Sequence, residues 1–456
     1  MTSHPRRLLA VLATSILALA CSSPAPSGSS GTSGFSGVSG ASGAGGSAGT
    51  AGASGAPTGT EVKSAQLRIT SPALQDGDLA MLAADNRHFA LDLYQTVRMG
   101  STDNIVFSPF SISIALAMTY GGAGGTTAPQ IASALHFSLP PERLHPTFDA
   151  VDLALEAPPP AGADPGTFQL SLADALWGQR GFPFVPDFLD LLATDYGAGM
   201  HTVDFSASPD TARLAINQWV SDQTNAKIPD LLPPDSIDSG TVFVLTNAVY
   251  FKARWAAPFE LNSPNGTFNA PTGPVQVPMM QLGFPDSVIG WSGAGYKAAT
   301  LSYVGGTTSM VLIVPDAGTF DAFESGLTFD ALEAILTPAT TTQYALSMPR
   351  FKIDTALALK AALGALGMTD AFQEGAADFS GIDGGHDIFL SAAVHQAMIA
   401  VDEQGTEAAA ATGIVGEVTG GMVADPLVVD RPFIYAIRDN GTGTILFLGR
   451  VLDPSK

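Results

Sequence analysis

"LSAAVHQAMIAVDEQGTEAAAAT" occupies residues 390–412. Its first part belongs to a strand-like run, residues 387–403. Beyond Gly405 comes Ala408 to Ala411, a run of the best helix former, and then the Gly-rich "GIVGEVTGG" at 413–421. As a strand, Thr406, Ala408, Ala410 and Thr412 point to one face. Gly405, Glu407, Ala409, Ala411 and Gly413 point to the other. The first face is uniformly small, and the only charge sits on the second. Such a segment can enter a sheet with its small face on a core and Glu407 in water. No proline occurs from 402 to 425, so every amide can join a ladder. The residues alone leave two other readings open: a surface helix favoured by alanine, and a plain flexible loop.

Around this stretch the chain is globular from about Leu79 to Val451. Helical periodicity marks residues 79–98, 108–122, 208–224 and 355–372. Two of these open on Ser-Pro, at Ser108-Pro109 and Ser208-Pro209, an N-cap followed by proline at the first helical position. Strand-like runs occupy 241–251, 309–315 and 444–451. Helices and strands mix without the alternation of a parallel βαβ protein, which gives an α+β class. The Pro-rich "EAPPPAGADPG" (156–166) reads as a surface insertion.

Composition narrows the function. The chain has 456 residues, 46% hydrophobic and 14% charged, enough for a large core. Its 20 Lys+Arg face 42 Asp+Glu, a net charge of −22 that repels nucleic acid and anionic lipid. The N-terminus carries Arg6-Arg7 and then the apolar run Leu8 to Ala20, too short to span a bilayer. It reads as a secretory signal peptide over residues 1–20. Cys21, the only cysteine, follows Leu-Ala-Leu-Ala directly, so no intrachain disulfide forms. That stretch resembles a bacterial lipoprotein signal, in which the cysteine takes a diacylglyceryl group and becomes the mature N-terminus. Ala18-Leu19-Ala20 also satisfies the ordinary cleavage rule, which would give a freely secreted protein. Residues 21–75 are assigned to a lipidated cysteine and a disordered tether. Its Ser/Gly/Ala-rich part, about 40 residues, would reach roughly 35 Å as a flexible coil. The expectation is an exported protein, anchored by lipid and facing the periplasm or cell exterior, or else secreted.

Catalytic signatures are missing. The sequence holds no P-loop, no dinucleotide-binding glycine fingerprint, no H-E-x-x-H and no G-x-S-x-G elbow. The seven histidines are scattered, and one cysteine excludes a Cys-rich zinc site.

Five stretches then agree together: residues 104–137, 216–232, 244–255, 390–412 and 431–454. They resemble the serpins, in serpin order and at serpin spacing, over about 79–456, essentially the whole globular part of a domain set at 76–456. The resemblance implies one domain of three β-sheets and about nine helices, with an exposed reactive loop near the C-terminus. It implies a monomeric suicide-substrate inhibitor of serine endopeptidases, with no catalytic residue, metal or cofactor of its own. The partner is a target serine protease, held as a covalent acyl complex while the cleaved loop inserts into the central sheet.

The resemblance also assigns residues. The loop hinge is Glu403, Gly405, Thr406, Glu407, Ala408, Ala409, Ala410, Ala411 and Thr412. Counting from Gly405 puts the bait bond at Thr419-Gly420, with Val418 and Met422 as alternative bait residues. Small or β-branched Val418 and Thr419 suit the shallow pocket of an elastase-like protease, and Met422 a chymotrypsin-like one. The cluster where the sheet opens is Ser108, Ser111, Asn247 and His395. Trp255 lies where the loop enters, and Arg350 is the basic partner of Glu403, a pair worth well under about 1 kcal/mol if exposed. Arg143 is the only Lys or Arg in 141–166, which argues against a sulfated-polysaccharide cofactor. The alternatives are a non-inhibitory serpin-fold binding protein or chaperone, and a hydrolase. The small, proline-free hinge speaks against the first, and the missing nucleophile–base signature against the second.

Overall fold

The computed structural model describes residues 59–156, 168–260, 263–282, 286–406 and 424–456. The first half contains β1 (Thr60–Val62), α1 (Asp78–Met99), β2 (Ile105–Phe107), α2 (Pro109–Tyr120), α3 (Thr127–Ala134) and α4 (Pro141–Glu156). It continues with β3 (Phe168–Gln179), α5 (Pro186–Tyr196), β4 (Met200–Val203), α6 (Pro209–Gln223) and β5 (Phe243–Arg254). Then come β6 (Asn265–Ala270), β7 (Gly273–Gln281), β8 (Val288–Gly293), β9 (Tyr296–Ser302) and β10 (Thr308–Pro315). Helices α7 (Phe320–Ser325) and α8 (Phe329–Leu336) precede β11 (Thr342–Pro349), β12 (Phe351–Ala358), α9 (Leu359–Ala365) and α10 (Ser380–Asp383). The chain closes with β13 (Ala392–Asp402), β14 (Gly405–Thr406), β15 (Asp425–Val428), β16 (Phe433–Asp439) and β17 (Ile445–Val451).

The expected α+β class holds, with ten α-helices among the described residues. Seven strands form one sheet in the order β1-β4-β3-β5-β14-β13-β12. The other ten form a continuous network in which β11 joins two parts. Its first residues pair with β8 and its last with β7. In the seven-stranded sheet β3 pairs antiparallel with β5 along its length, while β5 and β13 pair in parallel over Val244–Tyr250 and Ala392–Met398. Behind this sheet α2 is buried on every side, which suits its apolar sequence; α1, α3 and α4 pack around it, and α5 packs on α4.

Local signals account for part of this. Ser108 caps α2 by accepting from the Ser111 amide at 3.2 Å, with Pro109 at the first helical position. Ser208 also precedes a proline but makes no side-chain cap; Asp204 takes the Ala207 amide there instead. Residues 355–358, read as the start of a helix, lie in β12, because Phe351–Ala358 pair residue for residue with β13. A full ladder outweighs the helix preference of Ala and Leu.

The N-terminal segment corrects the tether boundary. Residues 59–75 do not extend the tether. β1 is an edge strand on β4, and the Ile69 amide donates to Thr194 O at 2.9 Å. Arg68 reaches three α4 carboxylates, Asp149 at 2.7 Å, Asp152 at 2.6 Å and Glu156 at 3.0 Å. The change of composition at Thr60–Val62 marks where the body begins. Cys21, the signal peptide, the tether up to residue 58 and all of the 156–166 insertion except Glu156, which ends α4, lie outside the described residues.

Asp149 is fully buried, and one of its oxygens has no partner. Arg68→Ala would leave it without a counter-ion. We expect a loss of about 3 kcal/mol, the lower end for breaking a buried ion pair, read as a lower denaturant midpoint of the native protein. An unchanged midpoint would show that α4 does not depend on the segment.

Candidate functional site

The structure brings the four predicted gate residues together. They come from α2 and its cap (Ser108, Ser111), β5 (Asn247) and β13 (His395), and none is more than 1% exposed. The Ser108 amide donates to His395 Nε2 at 3.1 Å, so the imidazole carries its proton on Nδ1 and donates it to Asn247 Oδ1. Burial pushes the His395 pKa down to about 3, so the ring stays neutral. The Asn247 amide nitrogen donates to Ser111 Oγ at 2.6 Å.

A fifth member was not foreseen. Asp174 of β3 accepts from Ser111 Oγ at 2.9 Å and from the Asn247 amide nitrogen. Register explains the meeting, since Asn247 lies opposite Asp174 on one side and His395 on the other. The three side chains form a row across β3, β5 and β13. The sequence signal was there: a lone carboxylate inside the apolar run "FQLSLADALWGQ" (168–179).

The second locus is the head of the loop. After β13 the chain turns back on itself, with Asp402 Oδ1 accepting from the Gln404 amide at 2.8 Å and the Gly405 amide at 3.2 Å. β14 then lies antiparallel between β13 and β5, Thr406 facing Val401 and Ala253. A Cβ on Gly405 would come within 2.1 Å of Ala253 O, so the backbones approach as only glycine permits. Thr406 is fully buried, its hydroxyl 2.8 Å from Tyr303 OH. The small face therefore starts out towards the core. Trp255 stacks on Tyr303 at 4.5 Å, and its indole donates to Asp402 O at 2.9 Å.

Arg350 meets Glu403 as expected, through Nε at 2.7 Å and Nη2 at 2.6 Å. The pair is not a surface one, however, because the Glu403 side chain is only 6% exposed, and Ser263 also donates to it. Glu407, Ala408, Ala409, Ala410, Ala411, Thr412, Val418, Thr419, Gly420 and Met422 lie outside the described residues.

Residues 84–454 match the family model described as Serpin (serine protease inhibitor). The chain belongs to the serpin family. "Leukocyte elastase inhibitor A" of Mus musculus is 38% identical to this serpin over 391 residues, covering 82% of the chain and all of the relative. Among solved structures, Tengpin, a thermophilic serpin in the native state, matches with a TM-score of 0.76 at 27% identity. It covers 87% of this chain and all of Tengpin. Uncleaved ovalbumin matches with a TM-score of 0.73 at 28% identity, over 82% of this chain and all of ovalbumin.

His395→Ala would strip the Ser108 amide and Asn247 Oδ1 of their partners in a buried site. We expect a loss of about 1–3 kcal/mol, seen as a lower thermal midpoint and faster conversion to latent or polymeric species on native gels. Unchanged stability without such species would mean that the cluster does not hold the sheet shut.

Proposed function

We propose that this serpin inhibits serine endopeptidases of the elastase or chymotrypsin type as a suicide substrate. The observation that carries the reading is the state of the seven-stranded sheet. β5 and β13 are paired directly below a two-residue strand, Gly405–Thr406, which already occupies the position between them. Extending that strand downward would replace the parallel β5–β13 pairing with antiparallel ladders on both sides. The small, proline-free sequence after Thr406 lets this happen without burying bulk or charge.

In the mechanism that follows, the protease serine attacks the Thr419 carbonyl and the Gly420 amine leaves. The acyl-enzyme remains on Thr419 while the freed loop enters the sheet from its Gly405 end. The protease travels with it, and its distorted active site no longer hydrolyses the ester. Val418 and Thr419 fit a shallow primary pocket, in keeping with the leukocyte elastase inhibitors among the relatives. We further propose export, a lipid anchor on Cys21 with residues 22–58 as the tether, and action as a monomer.

Incubation with an elastase should give a complex stable in SDS and a released peptide whose N-terminus is Gly420. Clean cleavage without a complex would overturn the reading. Gly405→Val should displace the loop head by its clash with Ala253 O. More of the loop should then be cut as ordinary substrate, giving a higher ratio of serpin consumed per protease trapped. A ratio equal to the wild type would show that the seating of β14 is not needed.

A further inference from the structure

The gate contains one carboxyl group, Asp174, which burial raises above its ordinary range, while burial keeps His395 neutral. Asp174 Oδ1 takes both the Ser111 hydroxyl and the Asn247 amide, whereas Oδ2 has only the same hydroxyl, at 3.3 Å. Oδ2 is thus the oxygen open to a proton. Asp174 borders a cavity of about 150 Å3 lined by Ile114 and Met118 of α2, Asp152, Leu155 and Glu156 of α4, and Tyr196 of α5. Asp152 and Glu156 face it across that cavity, and both are tied to Arg68. Among the described residues no cation bonds to Asp174 itself. On its other side stand Asn247 and, through it, neutral His395. The remaining neighbours are also uncharged or negative. The Tyr196 hydroxyl is hydrogen-bonded to His145, whose pKa burial lowers to about 4.

We propose that Asp174 is a proton-operated latch of the gate. With its carboxyl protonated it is a neutral member of the row that joins β3, α2 and β5. On losing the proton it becomes an uncompensated charge that loosens the row and eases entry of a strand between β5 and β13. It acts through Ser111 and Asn247 and is a positioning residue. The idea rests on the reading that this sheet opens to admit the loop.

The direction follows from burial, which raises the Asp174 carboxyl well above its ordinary 3.8; Asp152 adds to the rise, and the two hydrogen bonds oppose it. Opening the sheet separates Asn247 from His395 and admits more water to a carboxyl that is already part-buried rather than sealed, returning it towards its ordinary value. The closed sheet therefore binds the proton more tightly than the open one. Its advantage is complete below the ordinary value and is lost as pH rises through the raised one. His395, at about 3, contributes nothing to this change above that pH.

The test is the rate at which the intact serpin takes up a fluorescent peptide, TEAAAATGIVGEV, copied from residues 406–418. It is measured from pH 4.5 to 9 at constant ionic strength. The wild-type rate should rise with pH, by about tenfold for each pKa unit by which closing the sheet raises the carboxyl. Asp174→Asn keeps the hydrogen-bonding shape without the charge and should hold the slow, low-pH rate throughout. Asp152→Asn leaves the gate intact and removes a facing carboxylate, so its profile should shift to lower pH; this variant decides the matter if the first does not fold. A pH-independent wild-type rate would overturn the latch while leaving inhibition standing, as would profiles that these substitutions do not alter. No uptake by any protein at any pH would overturn both the latch and the insertion reading.

Discussion

Asn247 is bonded to three of the four other members of the cluster in the central sheet. Its carbonyl takes the His395 proton from β13, and its amide serves Ser111 of α2 and Asp174 of β3. Asn247, His395 and Ser111 are fully buried, so their polar groups must be satisfied inside the protein. If β5 moves away from β13, His395 and Asn247 lose their partner together, and the Ser108 amide loses its alignment with the ring. Opening is therefore close to all-or-none. The parallel β5–β13 ladder is flanked at its upper end by β14, an antiparallel strand hydrogen-bonded to both neighbours. On the proposed mechanism an inserted loop would gain two ladders for the one it displaces, so a barrier at this cluster, and not an advantage in hydrogen bonding, would keep the sheet closed.

The head of the loop is fixed as firmly as the gate is closed. The Asp402 turn reverses the chain, the absence of a side chain at Gly405 lets it pass Ala253, and Thr406 docks on Tyr303 under Trp255. Glu403 anchors the turn from the other side through Arg350 and Ser263. Every residue N-terminal to Glu407 in this region is held by a named contact. A strand that starts from a seated residue needs no search for its register, because a side-chain period of two fixes which face Thr406 and its successors present.

Much of this was legible before the fold was known, for reasons that differ by element. α1, α2 and β10 follow from periodicity, and the Ser108 cap from local chemistry. The gate quartet came from the serpin resemblance alone, since four residues spread from 108 to 395 share no local pattern. Asp174 escaped because a single acid in an apolar strand has no meaning until the register sets it beside Asn247. The beginning of β12 escaped because its partner strand, not its own propensity, decides its form. Residues 59–75 were misread because so short an edge strand is too weak a signal next to a long low-complexity tract, and Arg68 gains its role only when three carboxylates of α4 converge on it. The burial of Glu403 was equally invisible, as its neighbour Arg350 is 45% exposed.

The charge balance links these details. With 42 acidic residues against 20 Lys+Arg, most carboxylates have no cation available. Where one is spent in the interior it serves several needs at once, as Arg450 does in binding both oxygens of Glu324 and the carbonyls of Ser101 and Asp103. Elsewhere buried or part-buried acids are satisfied by neutral donors: Asp85 by the amide and hydroxyl of Ser138, Asp402 by two turn amides, Asp174 by Ser111 and Asn247. For all three, burial outweighs those donors and raises the carboxyl. An acid held this way can shed its charge by taking a proton, which an acid locked to arginine does far less readily. Of the three, Asp174 alone stands in the row across β3, β5 and β13, so there the protein's general shortage of cations meets the cluster that the proposed insertion would have to break.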